Sequence, residues 1–435
     1  MLEVLNQAFT AALPYFEFLW AVVKSIWWIF LPYFAFKLLH WSYLLWNGTK
    51  YWIKHAHPIL LEFRFPREIT KPLKAMEDVF SVLWGSMFDP PNKKERYFEG
   101  KVLFSFSLEI ASLEGVPHFY IRIPRGARKL VESSFHGQYP DVEIFEVEDY
   151  TKKIPMDIPN KEWDLWGCNY MPMKEDVYPI KTYSKFFEEN PEITKEEKRI
   201  DPMTALVESL TKIKKGEYIW FQILASSASE EENDYVERGR KIVDKLAKRG
   251  DQQKSKSMFS EMFDILFTNN YGKEEKKEEK LLPPEMFLTP GEREVVTAIE
   301  NKIAKLGFNC SVRGMYLGRR DVFFGPNKAL PISYMAQFQS RNLNSIIPWR
   351  PTMTKIQAPD FFQKRRLYLR KRDLYIRYVT RENPFVPYNG GTMLLTTEEL
   401  ATLFHFPGIT VAPSPYLERL DMKKAAPPMT LPVED

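Results

Sequence analysis

A run of large apolar and aromatic side chains from Tyr15 to Trp46, in which Glu17, Lys24, Lys37 and His40 are the ionisable residues, restricts the folding of this chain more than any other feature. A bilayer core of about 30 Å takes roughly 20 apolar residues at 1.5 Å rise each, and Leu19 to Leu39 supply that length. The run reads as one transmembrane helix, with Trp20, Trp27, Trp28, Phe30, Tyr33 and Phe34 as its anchor residues and aromatics at both ends as an interfacial belt. Pro14 and Pro32 are kink positions, so a shallow hairpin is the alternative geometry, and a buried helical hairpin inside a protein is another. The length of the apolar core, with no basic segment before it and no small-residue cleavage site after it, argues against a secretory leader. Lys24 and Lys37 have to snorkel or face a protein partner.

The flanking charge sets the expected orientation. Residues 1–14 hold Glu3 and no Lys or Arg, whereas Lys50, Lys54, Arg64, Arg67, Lys71 and Lys74 follow the run. The positive-inside rule then leaves the C-terminal bulk in the cytoplasm. Cys168 and Cys310 are the two cysteines and show no CxxC spacing, so the sequence spells neither a disulfide framework nor a zinc site. A formal charge of +4 decides nothing about nucleic acid, because clustering of basic residues matters more than their sum.

Downstream, the hydrophobic period predicts α+β structure. Phe104, Phe106, Leu108 and Ile110 alternate with Ser105, Ser107 and Glu109, the pattern of a half-buried strand, and a turn at Glu114-Gly115 leads into a second strand from Val116 to Ile123. Leu130, Val131 and Phe135 mark a helix, and Asp141 to Val147 a third strand. Two later segments share one grammar. Asp201 and Pro202 start a helix that Gly216 closes before a strand from Tyr218 to Leu224, with another helix from Tyr235 to Lys248. Thr289, Pro290 and Glu292 start a helix that Gly307 closes before a strand from Cys310 to Leu317, with another helix from Ile332 to Asn342. The expectation is ferredoxin-like α/β sandwich domains behind the transmembrane helix.

The chain thus divides into an anchor (1–49), a juxtamembrane connector (50–98), a first α+β domain (99–250), a mobile charged loop (251–287), a second α+β unit (288–350), a basic aromatic segment (351–390), and a C-terminal helix with a Pro-rich tail (391–435). Within the loop, Met258, Phe259, Met262, Phe263 and Leu266 have the spacing of a short amphipathic helix.

Catalytic motifs are not spelled out. There is no GxxxxGK[ST], HExxH, GxSxG or DxDxDG, and the GRRDVFFGPNK stretch from Gly318 to Lys328 lacks phosphate-loop spacing. His118 and His136 have no carboxylate at a spacing that makes a site and read as structural. Catalytic, cofactor and metal residues are therefore expected to be absent, and the chain is expected not to be an enzyme. The densest chemistry is basic: Lys364, Arg365, Arg366, Arg370, Lys371, Arg372, Arg377 and Arg381 stand against Asp373, with Tyr368, Tyr375 and Tyr378 among them. Such a segment suits anionic lipid heads or nucleic-acid phosphates, or simply a solvated helix face.

The segments SLEIASLEGVPHFYIRIPRGARKLVESSFHGQYPDVEIFEVEDY, TPGEREVVTAIENKIAKLGFNCSVRGMYL, KRRLYLRKRDLYIRY and TTEELATLFHFPGITVAPSPYLERLDMKKAAPPMTLP resemble a bacterial membrane-anchored family. That family looks like the N-terminal region of type IV secretion or conjugation ATPases related to the HerA and FtsK translocases. The resemblance implies a single-pass protein of the bacterial inner membrane, in contact with membrane lipid, a separate HerA/FtsK-like ATPase and DNA, and assembled as a homo-oligomer. Thr396 with Glu399 reads as a capping box, and Leu400, Leu403 and Phe404 as an apolar face that docks the partner. The sequence ends at Asp435 without a RecA-like motor, so the family's ATP-binding residues have no counterpart to be carried over. The resemblance implies a non-catalytic subunit of a DNA or protein translocation machine, with membrane-tethered nucleic-acid binding through 364–381 as the alternative.

Overall fold

A computed structural model describes residues 2–66, 69, 71–186, 201–228, 233–247, 288–356, 362–382 and 391–408, apart from the side chains of 2–13, 19, 26 and 29–31. The charged loop, the short helix expected around Met258 to Leu266, and the tail beyond 408 lie outside the described residues.

The chain separates into two units, one of residues 1–57 with 90–103 and one of the remainder. The first consists of the helix α1 (Leu2–His55) and a π-helical turn over Glu95–Glu99. Tyr43 Oη and Asn47 Nδ2 both donate to the Tyr97 carbonyl, at 2.9 and 3.1 Å, and the His40 ring stacks on Tyr97 at 5.5 Å. Gly100 makes this approach feasible: its φ of +72° suits glycine, and a Cβ there would lie 2.4 Å from the Asn47 carbonyl oxygen.

Among the described residues no helix is long and apolar enough to cross a membrane. The expected transmembrane helix, and with it the single-pass inner-membrane placement, is corrected accordingly. At 54 residues α1 does not lack length. Much of its bulk is Trp and Tyr, whose polar ring atoms seek hydrogen-bond partners, and Glu17, Lys24, Lys37 and His40 are spread along it.

The second unit is α+β with an antiparallel sheet. β1 (Pro58–Arg64), α2 (Lys74–Met87), β2 (Phe106–Leu113), β3 (Val116–Pro124), α3 (Arg128–Gln138) and β4 (Glu143–Val147) form a β-α-β-β-α-β module with strand order β4-β1-β3-β2. β5 (Trp163–Pro172), α4 (Pro202–Thr211) and β6 (Glu217–Ser227) begin a second module. It is interrupted by α5 (Tyr235–Leu246) and α6 (Pro290–Ile303) and completed by β7 (Gly307–Arg319), α7 (Ala329–Ala336) and β8 (Ile346–Pro348), with order β6-β7-β5-β8. β2 pairs antiparallel with β6 from Phe106↔Ala225 to Leu113↔Tyr218, so two ferredoxin-like modules meet edge to edge and the strand order mirrors itself about that seam.

This changes the reading of the repeat. The two segments of like grammar, α4-β6-α5 and α6-β7-α7, both fall in the second module, whose halves are β5-α4-β6 and β7-α7-β8 with α5 and α6 inserted between them, whereas the first module begins at β1 inside the segment expected as a connector. Ile59 to Phe63 are buried on both faces, and the run Ile59-Leu60-Leu61 followed by Glu62 and Phe63 carries no clean alternation to identify it. The helix starts themselves follow capping chemistry. Asp201 accepts from Met203 N, and Thr289 with Glu292 and Thr396 with Glu399 form reciprocal boxes.

One sheet face is covered by α2, α3, α4, α7 and the helix α9 (Thr397–Leu403), around Phe63, Phe106, Phe119, Phe135 and Phe308. The other carries the basic helix α8 (Gln363–Thr380), on Leu165, Trp220, Met315 and Leu317. β9 (Met393–Thr396) pairs with Gly307 to Cys310 of β7, next to the stretch of β7 that β5 occupies. Leu400, Leu403 and Phe404, expected as a partner-docking face, are 0, 1 and 0% exposed in the core of this chain. The capping box starts α9 immediately after β9, and that turns its apolar side back onto the chain's own sheet.

Candidate polyanion-binding face and its buried latch

α8 is seated by three residues of one stripe. Leu374, Tyr375 and Tyr378 are buried, and the Tyr378 ring lies 5.3 Å from Trp220 in a stacked arrangement. Close approach is set by Gly167 of β5, where a Cβ would come within 2.9 Å of Leu374 Cδ2.

The C-terminal end of α8 is held by charge. Arg381, in the left-handed conformation at φ 57°, donates from Nε to Glu109 Oε1 at 3.0 Å and from Nη2 to Glu109 Oε2 at 3.1 Å. The same guanidinium reaches Asp149, Nη1 to Oδ2 at 2.5 Å and Nη2 to Oδ1 at 3.0 Å. Glu109 also accepts from Ser107 Oγ at 2.6 Å, Tyr150 Oη at 2.7 Å and Gln222 Nε2 at 2.9 Å. Burial would raise the Glu109 carboxyl, but the Arg381 charge and these hydrogen bonds outweigh it and hold the group below its ordinary value. Asp149 is held low in the same way, burial opposing and the Arg381 hydrogen bond and charge prevailing. Arg313 on β7 donates to the carbonyls of Arg377 and Glu382, at 2.7 and 2.5 Å, which places a cation at the negative end of the helix. Its own burial pushes Arg313 down to about 10.

The eight basic residues singled out in the sequence therefore divide. Arg381 is in the latch, Lys371 pairs with Asp164, Arg377 with Asp373 at 2.9 Å, and Arg370 donates to the Lys355 carbonyl at 3.1 Å. Lys364, Arg365, Arg366 and Arg372 are exposed. Lys364, Tyr368 and Arg372 stand four residues apart and form one row along the helix, with Arg365 and Leu369 in the row beside it. Tyr368 is 40% and Leu369 51% exposed. The outer face of the N-terminal half of α8 is thus cationic with an aromatic and an apolar contact set among the charges.

Of the residues expected to anchor the chain, Trp20, Trp27, Trp28, Tyr33 and Phe34 are exposed on α1, and the Phe30 side chain is outside the described set. Sequence reasoning missed the latch. Ser107 and Glu109 were expected on a solvent face, yet they are 1 and 0% exposed because α8 covers it. Trp220 and Gln222, alternating on the same face of β6, carried the signal that this face is covered too. His118 does have a carboxylate, Glu62 Oε1 at 2.6 Å, brought across the sheet from 56 residues upstream. Among the described residues no group of three or more His, Cys, Asp or Glu could hold a metal ion. No protein-family model matches the chain, and no curated protein does.

Proposed function

We propose that this chain is a non-catalytic subunit of a translocation machine, which binds nucleic acid on the outer face of α8 and works beside a separate HerA/FtsK-like motor. The observation that carries the reading is the exposed row Lys364, Tyr368 and Arg372 flanked by Arg365, while the other end of the same helix is fixed internally by Arg381. Cations along a rigid helix neutralise successive phosphates, and an exposed tyrosine gives a base a surface to stack on. The resemblance of the segments quoted above to the N-terminal regions of translocase ATPases supports the place beside a motor; the α8 geometry supports the nucleic-acid contact.

The test is fluorescence anisotropy of a labelled single-stranded oligonucleotide across a salt series, comparing the wild-type chain with the triple variant K364E/R365E/R372E. Each phosphate contact contributes about 0.7 to the log-log salt slope for a single strand, so losing three flattens it by about 2 units. Binding at low salt should fall by at least about a hundredfold, at roughly 1.4 kcal/mol per factor of ten. The three side chains are exposed, so unfolding stability should stay within about 0.5 kcal/mol. Binding that is unchanged in the variant, or insensitive to salt, refutes the assignment.

A further inference from the structure

We propose that α1 is an assembly helix, which packs against α1 of further copies of this chain in a homo-oligomeric helical bundle. Within its own unit α1 is engaged at Asn47 and Gly48, which are buried, and at His40 and Tyr43, which contact Tyr97. Twelve aromatic side chains between Tyr15 and Trp46 are each at least 44% exposed. An aromatic buries about 150–250 Å² when fully covered, so these leave on the order of 1,000–1,500 Å² of aromatic surface per chain. A stable interface needs about 800 Å² per partner, so α1 offers more than one such interface consumes.

The distribution of that surface says how it is covered. Tyr15, Phe16, Phe18 and Trp20 are 74, 68, 70 and 63% exposed, and at 100° per residue they point around most of the circumference of the helix. Aromatic bulk over most of the circumference cannot be covered by one flat partner, which leaves part of it wet, so several neighbours are required. The cations fit as well: Lys37 Nζ already lies 4.8 Å over the Tyr33 ring and Lys50 Nζ 5.3 Å over the Trp46 ring, so aromatic faces hold these charges without an acidic partner. A bundle also multiplies the α8 faces presented to one strand, and linked weak contacts raise overall affinity.

Sedimentation velocity of the full chain in detergent-free buffer, over a wide concentration range, tests the assignment. The wild type should sediment as an oligomer larger than a dimer, and F16E/F34E/L38E should shift it to monomer, with at least a tenfold rise in the dissociation constant. The unfolding midpoint of the sheet unit, followed by near-ultraviolet circular dichroism, should be retained in the variant, which separates lost assembly from lost folding. As a second measurement, Leu38→Cys should give crosslinked dimers with a bismaleimide, because the natural Cys168 and Cys310 are buried and leave one reactive thiol per chain. A monomeric wild type, an assembly indifferent to the three charges, or a chain that stays monomeric in buffer and is retained only on phosphatidylcholine vesicles would overturn it.

Discussion

Replacing Arg381 by Ala is expected to lower the unfolding free energy by about 3–5 kcal/mol, the usual cost of stranding one member of a buried ion pair. Glu109 is fully buried, and the Arg381 side chain is 2% exposed, so the stranded carboxylate is shielded from bulk solvent. The two remaining donor types, the Ser107 and Tyr150 hydroxyls and the Gln222 amide, leave the carboxylate hydrogen-bonded but its charge unmatched. Urea unfolding at neutral pH measures the loss, and the double variant E109Q/R381M should recover much of it because both charges are then gone. A loss under about 1 kcal/mol would mean that the latch does not hold α8. The pH dependence has a fixed sign. Glu109 and Asp149 titrate below their ordinary values in the folded chain, so their contribution is present above the unfolded values of 4.5 and 3.8 and is lost as pH falls through the lower folded ones. The gap between wild type and R381A should accordingly narrow on acidification, since protonating Glu109 relieves the variant and penalises the wild type.

The second large effect is expected at Phe404. Truncation to Ala should cost about 3–5 kcal/mol, as for other fully buried aromatics. The ring is 0% exposed, 6.0 Å from Phe119 and 6.5 Å from Phe406, and Phe406 in turn packs on Phe63, Phe65 and Tyr139. Thermal or urea unfolding measures this directly. A residue that served only to receive a partner would show the opposite pattern, lost association with unchanged stability.

What the sequence allowed to be read follows from how local each signal is. The caps at Asp201, Thr289 and Thr396 are contacts within three residues, and they sit where the letters place them. The hairpin of β2 and β3 rests on Glu114-Gly115, where both residues have positive φ, and alternation on either side of that turn was legible. β1 was not, because a strand buried on both faces looks like any short apolar run. The duplication has another period than the grammar of the letters suggests: α5 and α6 stand between β6 and β7, which are neighbouring strands of one module. The latch joins residues separated by 272 positions, from Glu109 to Arg381, and no spacing rule reaches that far. Apolar bulk at the N-terminus was plain, but bulk alone does not distinguish a lipid environment from a protein one when Trp and Tyr supply so much of it.

The seam between β2 and β6 has a consequence for how this chain is made. Until β6 leaves the ribosome, the first module ends in a strand whose outward backbone groups have no mate, and such a border recruits whatever extended polypeptide is near. Synthesis at about 5–20 residues per second leaves it bare for on the order of ten seconds. A newborn chain therefore passes through an interval of vulnerability that the finished molecule, with that border sealed in its middle, no longer has.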